Sequence, residues 1–240
     1  MEQDAPNAMA ESADFEFRAL EEAVNYRRAL IDEFRAALTG DVIEVGAGAG
    51  QLTAEIAAVP TVTRLLAVEP DDRFAATFQR THPTREFLHG TAGDVPAGQS
   101  WNALVSVNVL EHIRDDEREL ATWQRLLAPA QGQLCLFVPA RPEIYAPIDK
   151  DFGHFRRYTK PELRGKLERA GYDIVRLHYF NAIGYFAWWA SFVLLGRRGF
   201  DAGAVRVFDR AIFPWAHALE RTVLRPPFGQ SLMAIAHARS

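Results

Sequence analysis

The sequence predicts a doubly wound α/β fold, in which helices cover both faces of a mostly parallel sheet. One observation is the apolar run Val-Ile-Glu-Val at 42–45, followed by Gly46, Gly48 and Gly50 and then by a segment of helical composition. A strand, a glycine-rich turn and a helix in this order form a ligand-binding crevice, because glycines allow a sharp turn and the close approach of a ligand to the backbone. The other observation is that further apolar runs alternate with helical segments, which is typical of parallel strands joined by helices.

Each element has its own signal along the chain. Residues 1–14 are small and polar, which predicts a disordered leader, and 15–240 are expected to form a single domain. Apolar residues at helical spacing predict a first helix over 15–38. A later helix over 160–170 is expected to begin after Thr159, a suitable N-cap. The seven segments with strand patterns lie at 42–45, 65–69, 87–89, 103–110, 133–139, 172–180 and 231–237.

Composition and charge exclude several classes of protein. The formal net charge of −4 provides no electrostatic footprint for nucleic acid. Cys135 is the single cysteine, so no internal disulfide can form, and its apolar neighbours predict an inert core residue. The acidic N-terminus lacks a basic segment followed by an apolar stretch. No signal peptide is therefore predicted, and a cytoplasmic location is expected.

The glycine-rich turn and a second acidic residue indicate the ligand. Glu69 ends the second apolar strand, where a carboxylate can accept both ribose hydroxyls of an adenosine. The dinucleotide fingerprint requires a glycine at the position of Gln51, which disfavours a nucleotide-dependent oxidoreductase. The actual pattern, Glu-x-Gly-x-Gly-x-Gly from Glu44 to Gly50, resembles motif I of the class I S-adenosylmethionine (SAM)-dependent methyltransferases. Leu-Glu-His at 110–112 is similar to a further motif of that family.

This resemblance implies a seven-stranded sheet with an antiparallel last strand, SAM as cofactor and S-adenosylhomocysteine (SAH) as product. Thr91 stands where the family usually has aspartate, so a backbone contact to the adenine is expected there. The cofactor-binding residues that the resemblance and the strand ends predict are Tyr26, Glu44, Gly46, Ala47, Gly48, Gly50, Glu69, Pro70, Thr91, Ala92, Asn108 and Val109.

Methyl transfer from SAM is an in-line displacement, so the protein must position the acceptor atom and exclude water. A base is needed only where the nucleophile arrives protonated. The segment Gly-His-x-Arg-Arg-Tyr-Thr at 153–159 resembles a loop in a bacterial subset of these enzymes. The predicted catalytic residues are His154, as base or acceptor ligand, His112 and Tyr158. The predicted acceptor-binding residues are Asn108, Arg156, Arg157, Asn181 and Trp188.

Structural alternatives remain open for these residues. The arginines of the 153–159 loop would pair with Asp149 and Asp151 in a solvated loop, and His112 would be a buried histidine satisfied by backbone groups. No His, Cys or Asp set has the chain spacing of a metal site, so no metal is expected. The absence of a Gly-x-Ser-x-Gly elbow disfavours a serine hydrolase.

About forty-five residues, 181–225, lie between the predicted strands six and seven, and they are expected to form a helical insertion. Its first part is uncharged, and its second part is amphipathic. We consider three interpretations: a helical hairpin that packs on the core or in a homodimer, a cap that walls an apolar acceptor pocket, and peripheral contact with a membrane.

The sequence therefore predicts a SAM-dependent methyltransferase with a small-molecule acceptor, of the natural-product, sugar-nucleotide or lipid-linked type. The alternative is a SAM-binding regulatory or scaffold protein that has lost catalysis.

Overall fold

The computed structural model describes residues 22–199, 201–222 and 226–240, so the predicted leader at 1–14 lies outside the described residues. The strands form one seven-stranded sheet in the order β3-β2-β1-β4-β5-β7-β6. β1 to β5 run parallel to one another, and β7 is antiparallel to both of its neighbours, β5 and β6. The predicted fold class is confirmed. The strands are β1 Gly40–Val45, β2 Val62–Glu69, β3 Glu86–His89, β4 Ala103–Val107, β5 Gln133–Pro139, β6 Tyr172–Phe180 and β7 Ser231–Ala238.

Helices lie on both sides of the sheet. They are α1 Val24–Phe34, α2 Thr53–Ala57, α3 Asp72–Thr81, α4 Asp116–Leu127, α5 Pro147–Asp151, α6 Lys160–Arg169, α7 Ala182–Trp188, α8 Ala202–Val207 and α9 Phe213–Thr222. Two π-helical turns, Trp189–Leu194 and Phe208–Ile212, follow α7 and α8. α6 begins after Thr159 as predicted, because the Thr159 hydroxyl accepts a hydrogen bond from the backbone N–H of Glu162 at 3.3 Å.

The strand β4 is shorter than the predicted 103–110. Asn108 has a φ of 53°, which turns the chain out of the strand, and a short 3₁₀ turn, Leu110–His112, follows. The motif Leu-Glu-His is therefore a turn at the carboxyl end of β4. This turn places Glu111 and His112 next to His154.

The sheet is packed between two hydrophobic layers, one on each face. Adjacent residues of β1 belong to different layers, with Ile43 packed in the layer that contains Trp123 and Val42 packed in the layer that contains Phe34. Side chains alternate between the faces of a strand, so a strand buried on both faces must be apolar throughout. Cys135 is buried in the second layer, in agreement with the predicted core role.

The segment between β6 and β7 is anchored on α1. The carboxylate of Asp209 accepts hydrogen bonds from the backbone N–H groups of Asn25, at 3.0 Å, and Tyr26, at 2.9 Å. The Tyr26 ring packs against the rings of Phe180 and Phe213. These contacts fix the helical insertion over the carboxyl ends of the strands.

The outer surface of this insertion exposes large apolar side chains, including Trp189, Leu194 and Trp215, the last with 77% of its surface exposed. The membrane and homodimer interpretations both concern this surface, and both stay predictions. In the part of the chain that the structure describes, no helix has the length and apolarity needed to cross a bilayer.

Candidate active site

The loop between β1 and α2 is shaped by its glycines. Gly46, Gly48 and Gly50 have φ values of 78°, 57° and 93°, a backbone conformation that L side chains rarely adopt. A Cβ on Gly46 would also collide with the Val109 side chain, and one on Gly50 would collide with the His82 ring. The backbone of the loop is therefore brought to the end of the sheet at positions that only glycine can occupy without strain.

Glu69 connects this loop to the carboxyl end of β2. Its Oε2 accepts a hydrogen bond from the backbone N–H of Gly48 at 2.8 Å, and its Oε1 accepts one from the N–H of Asp71 at 2.9 Å. Burial raises the pKa of Glu69, and these two hydrogen bonds oppose that rise. A carboxylate has about four lone-pair sites, so two N–H donors leave acceptor capacity for further hydroxyl groups.

Glu44 lies on β1 beside the same loop. It is almost fully buried, and the Thr53 hydroxyl at the start of α2 donates a 2.6 Å hydrogen bond to its Oε2. Burial raises the pKa of Glu44 to about 8, although the Thr53 bond acts in the opposite direction. The carboxyl group is therefore mostly protonated at neutral pH, and a nearby cation would favour its ionisation.

A cavity of about 1160 Å³ extends from the glycine loop to the helical insertion. Ligand pockets usually have volumes of about 300–1,000 Å³, so this cavity has room for two molecules of moderate size. Glu44 of β1 and Glu69 of β2 line it, and so do Trp188 and Phe192 of the insertion. The cavity lies where the strand order reverses between β1 and β4, which is the usual place for ligands in open α/β sheets.

A polar cluster borders the cavity beside the turn after β4. The Nδ1 atom of His154 lies 3.1 Å from Oδ1 of Asp149, and the Arg157 guanidinium donates to the same oxygen from Nε at 2.8 Å. The other carboxylate oxygen of Asp149 accepts the backbone N–H of Ala146 at 2.8 Å. Burial raises the pKa of Asp149, but the bonds from His154 and Arg157 outweigh that effect and lower it. Asp149 is thus an ionised, buried carboxylate that orients the His154 ring.

The family model for the methyltransferase domain matches residues 16–177. The chain belongs to this methyltransferase family. It is a SAM-dependent methyltransferase, with SAM as its cofactor. No curated protein matches the chain.

Solved structures of methyltransferases share the fold of the chain. A complex of DhpI with SAH has 16% sequence identity and a TM-score of 0.60, with coverage of 98% of this chain and 95% of that chain. A SAM-dependent methyltransferase from Mesorhizobium loti has 14% identity and a TM-score of 0.59, and the match covers 87% of this chain and 97% of that chain. A SAM-dependent methyltransferase from Archaeoglobus fulgidus has 14% identity and a TM-score of 0.57, and the match covers 90% of this chain and 94% of that chain.

Most of the residues predicted to bind the cofactor of this methyltransferase line the cavity. Gly48 and Gly50 are the exceptions; Gly48 instead donates to Glu69, and Gly50 packs near His82. Their contribution is to shape the loop. The predicted catalytic and acceptor-binding residues that line the cavity are Asn108, His112, His154, Arg157, Asn181 and Trp188. Their contacts with a bound cofactor or acceptor stay predictions.

Tyr158 and Arg156 require correction, since neither lines the cavity of the methyltransferase. The buried Tyr158 hydroxyl donates to Oδ2 of Asp116 at 2.9 Å, and Arg156 forms an ion pair with Asp116 at 2.7 Å. Both side chains therefore hold the 153–159 loop to α4. Arg157, between them in sequence, points the other way and pairs with Asp149.

Other predicted residues have a clear structural role as well. The Asn181 side-chain oxygen accepts the N–H of Gly184 at 3.0 Å, which caps α7. The Trp188 indole N–H donates to the carbonyl of Ile144 at 3.1 Å, and the Arg157 guanidinium stacks 4.4 Å from the Trp188 ring. Arg157 and Trp188 thus join the 153–159 loop to the insertion. One of the ion pairs considered for the loop arginines is present, between Arg157 and Asp149. Asp151 instead pairs with Arg198 of the insertion.

The sequence interpretation missed several residues that line the cavity. Phe74, Phe152, Phe192 and Phe208 present aromatic surface to it. Phe74 and Phe78 are four residues apart on α3, and it is Phe78 that is fully buried and stacked on Phe87. The amphipathic pattern that includes Phe208 predicts an apolar helix face. It does not show whether that face packs on the protein core or lines a ligand cavity.

Proposed function

We propose that this methyltransferase transfers the methyl group of SAM to a small molecule that is bound beside SAM in the same cavity. The observation that carries this proposal is the size and continuity of the cavity, which runs from the glycine loop and Glu69 to the wall formed by the insertion. A protein that modified nucleic acid or a protein surface would need an open, complementary face instead. The net charge of −4 also disfavours nucleic acid.

The cofactor is expected to lie across the ends of β1 and β2. Glu69 would accept the ribose hydroxyls, because its carboxylate retains acceptor capacity beyond the N–H groups of Gly48 and Asp71. Thr91 and Ala92 would border the adenine through their backbone. Glu44 would attract the methionine ammonium group, directly or through water. This orientation directs the sulfonium methyl toward Asn108 and Val109.

The acceptor is expected to occupy the remaining volume, between the turn after β4 and the insertion. His112 and His154 would face its reacting group, and Trp188 and Phe192 would supply apolar surface, since all four line the cavity. Such a mixed site positions a molecule that has an apolar body and one nucleophilic group. The insertion would serve as a cap that excludes water from the transfer step.

The test is a calorimetric titration followed by a transfer assay. SAH should bind with micromolar affinity and NAD should not bind. Incubation with SAM and a panel of hydroxyl- and amine-bearing natural products, sugar nucleotides and lipid-linked sugars should release SAH and yield a product heavier by one methylene group. Tight SAH binding without transfer to any panel member would favour the binding-protein alternative. NAD binding would show that the glycine loop had been misinterpreted.

The raised pKa of Glu44 predicts that cofactor affinity depends on pH. Below pH 8 the Glu44 carboxyl is mostly protonated in the protein without cofactor. The ammonium group of bound SAH would stabilise the Glu44 carboxylate, so SAH binding would release a proton. SAH affinity should rise with pH between about 6 and 7.5, by up to about tenfold per pH unit. In Glu44→Gln this dependence should disappear. Calorimetry in buffers of different ionisation enthalpy counts the released protons, and the same affinity at both ends of this range in the wild type would contradict the assignment.

A further inference from the structure

Three potential metal ligands meet at the acceptor side of the cavity. Glu111 and His112 belong to the turn after β4, and His154 belongs to the loop after α5. One ligand atom of each lies within 4.8 Å of those of the other two. The side chains of Glu111 and His154 are at most 4% exposed, and His112 is half-buried. We call these three residues the Glu-His-His cluster.

The orientation of His154 suits metal binding. Its Nδ1 faces Asp149 at 3.1 Å, and its Nε2 faces Oε1 of Glu111 at 4.0 Å. An Nδ1–H that donates to Asp149 fixes the tautomer whose Nε2 lone pair points toward Glu111. Metal-binding histidines are commonly held in this way by a carboxylate on the other ring nitrogen. The His112 ring meets the His154 ring edge-on, with 4.6 Å between ring centroids.

Two carboxylates and one guanidinium group lie beside the His154 ring. Arg157 is the counterion of Asp149, with an ion-pair distance of 2.8 Å, so this positioning carboxylate brings no net charge. Glu111 adds a further carboxylate beside two imidazole rings. Two histidines and one glutamate are the protein ligands of several catalytic zinc sites, in which open positions are left for water or substrate.

We propose that the Glu-His-His cluster binds one divalent transition-metal cation of the zinc class, with its open positions facing the acceptor. Ligand atoms about 2.1 Å from a zinc ion lie at most about 4.2 Å apart, so binding requires the three side chains to rotate slightly toward one another. The sequence did not predict this set, because its members lie on two loops about forty residues apart in the chain.

The metal also specifies the chemistry of the acceptor, and this step rests on the proposed function. A hydroxyl oxygen that binds the cation loses its proton to solvent more readily, as zinc-bound water does. The resulting oxyanion attacks the methyl carbon of SAM, a C–O bond forms, the S–C bond breaks, and its electron pair stays on sulfur as the thioether of SAH. The acceptor is therefore a small molecule with a hydroxyl group.

Metal binding is tested on the full chain without an affinity tag, after dialysis against a chelator. Titration with Zn²⁺ against a chromophoric chelator should give one bound ion per chain, and Co²⁺ should produce the visible absorption of a site with four or five ligands. His112→Ala, His154→Ala and the near-isosteric Glu111→Gln should each weaken binding at least about tenfold, since even residues outside the ligand set cost that much. His237→Ala, at an exposed position on β7, should bind as the wild type does.

Two outcomes would overturn the proposal: less than stoichiometric Zn²⁺ in the wild type, or equal affinity in the three cluster variants and His237→Ala. Circular dichroism identifies any variant that fails to fold, and Glu111→Gln remains informative because it preserves the shape of the side chain. SAH titrations on the same samples separate the two hypotheses. Binding of SAH without Zn²⁺ rejects only the metal site, and binding of Zn²⁺ without SAH rejects only the cofactor site.

Discussion

Replacement of His154 by alanine is expected to reduce methyl transfer by about 10²–10⁴-fold, while SAH affinity stays within about twofold of the wild type. Loss of a group that holds or deprotonates a nucleophile has effects of this size. His154 lies on the loop after α5, whereas the glycine loop and Glu69 lie at the ends of β1 and β2, and the cavity is lined from both places. The rate of methyl transfer should therefore fall while SAH affinity is preserved. Single-turnover transfer to a substrate from the panel measures the rate, and calorimetry measures the affinity.

A conservative variant distinguishes the chemistry of His154 from its structural role. In His154→Asn the amide nitrogen replaces Nδ1 and can still donate to Asp149, but nothing replaces Nε2. This variant should remain folded and be as slow as His154→Ala. Recovery of wild-type transfer in His154→Asn would show that the ring only holds Asp149 in place. His237→Ala serves as the control for removal of a histidine and should retain full transfer.

The topology was predictable because buried parallel strands leave a strong signal. β1, β2, β4 and β5 each contain an apolar run, and the glycines after β1 mark the point at which the chain turns toward the ligand. The end of β4 was less predictable. Apolar residues continue to Leu110, but Asn108 adopts a left-handed backbone conformation, which a hydrophobic pattern does not encode.

Most of the predicted residues that line the cavity follow strand ends, which a sequence pattern can locate, whereas the orientations of consecutive side chains in the 153–159 loop were not predictable. Tyr158 forms a strand-like bridge with Ala140, and adjacent side chains of the segment at 156–158 point in opposite directions. Arg156 and Tyr158 therefore both reach Asp116 on one side, and Arg157 reaches Asp149 on the other. The sequence does not reveal this alternation, so all three side chains were predicted to face the active site. The proximity of Glu111 to His154 was not predictable either, since it depends on how the loop folds over the turn after β4.

Replacement of Glu69 by alanine is expected to weaken SAH binding by about 10–150-fold, because a hydrogen bond to a charged group contributes about 1.5–3 kcal/mol. The carboxylate has two functions here: it is placed to accept the ribose hydroxyls, and it accepts N–H groups from Gly48 and Asp71. Removing it leaves those N–H donors without this acceptor and loosens the glycine loop, so the loss should approach the upper end of the range.

Glu69→Gln tests the charge and the acceptor groups of this side chain while its size stays the same. Its amide retains one oxygen acceptor but presents NH₂ where the other N–H donor requires an acceptor, so SAH affinity should also fall. Glu86→Gln is the matched control, because Glu86 lies on the adjacent strand β3, pairs with Arg64 and does not line the cavity. Calorimetry should give wild-type SAH affinity for this control. Wild-type affinity in Glu69→Ala would mean that the ribose binds elsewhere, and the position of the cofactor on β1 and β2 would have to be abandoned.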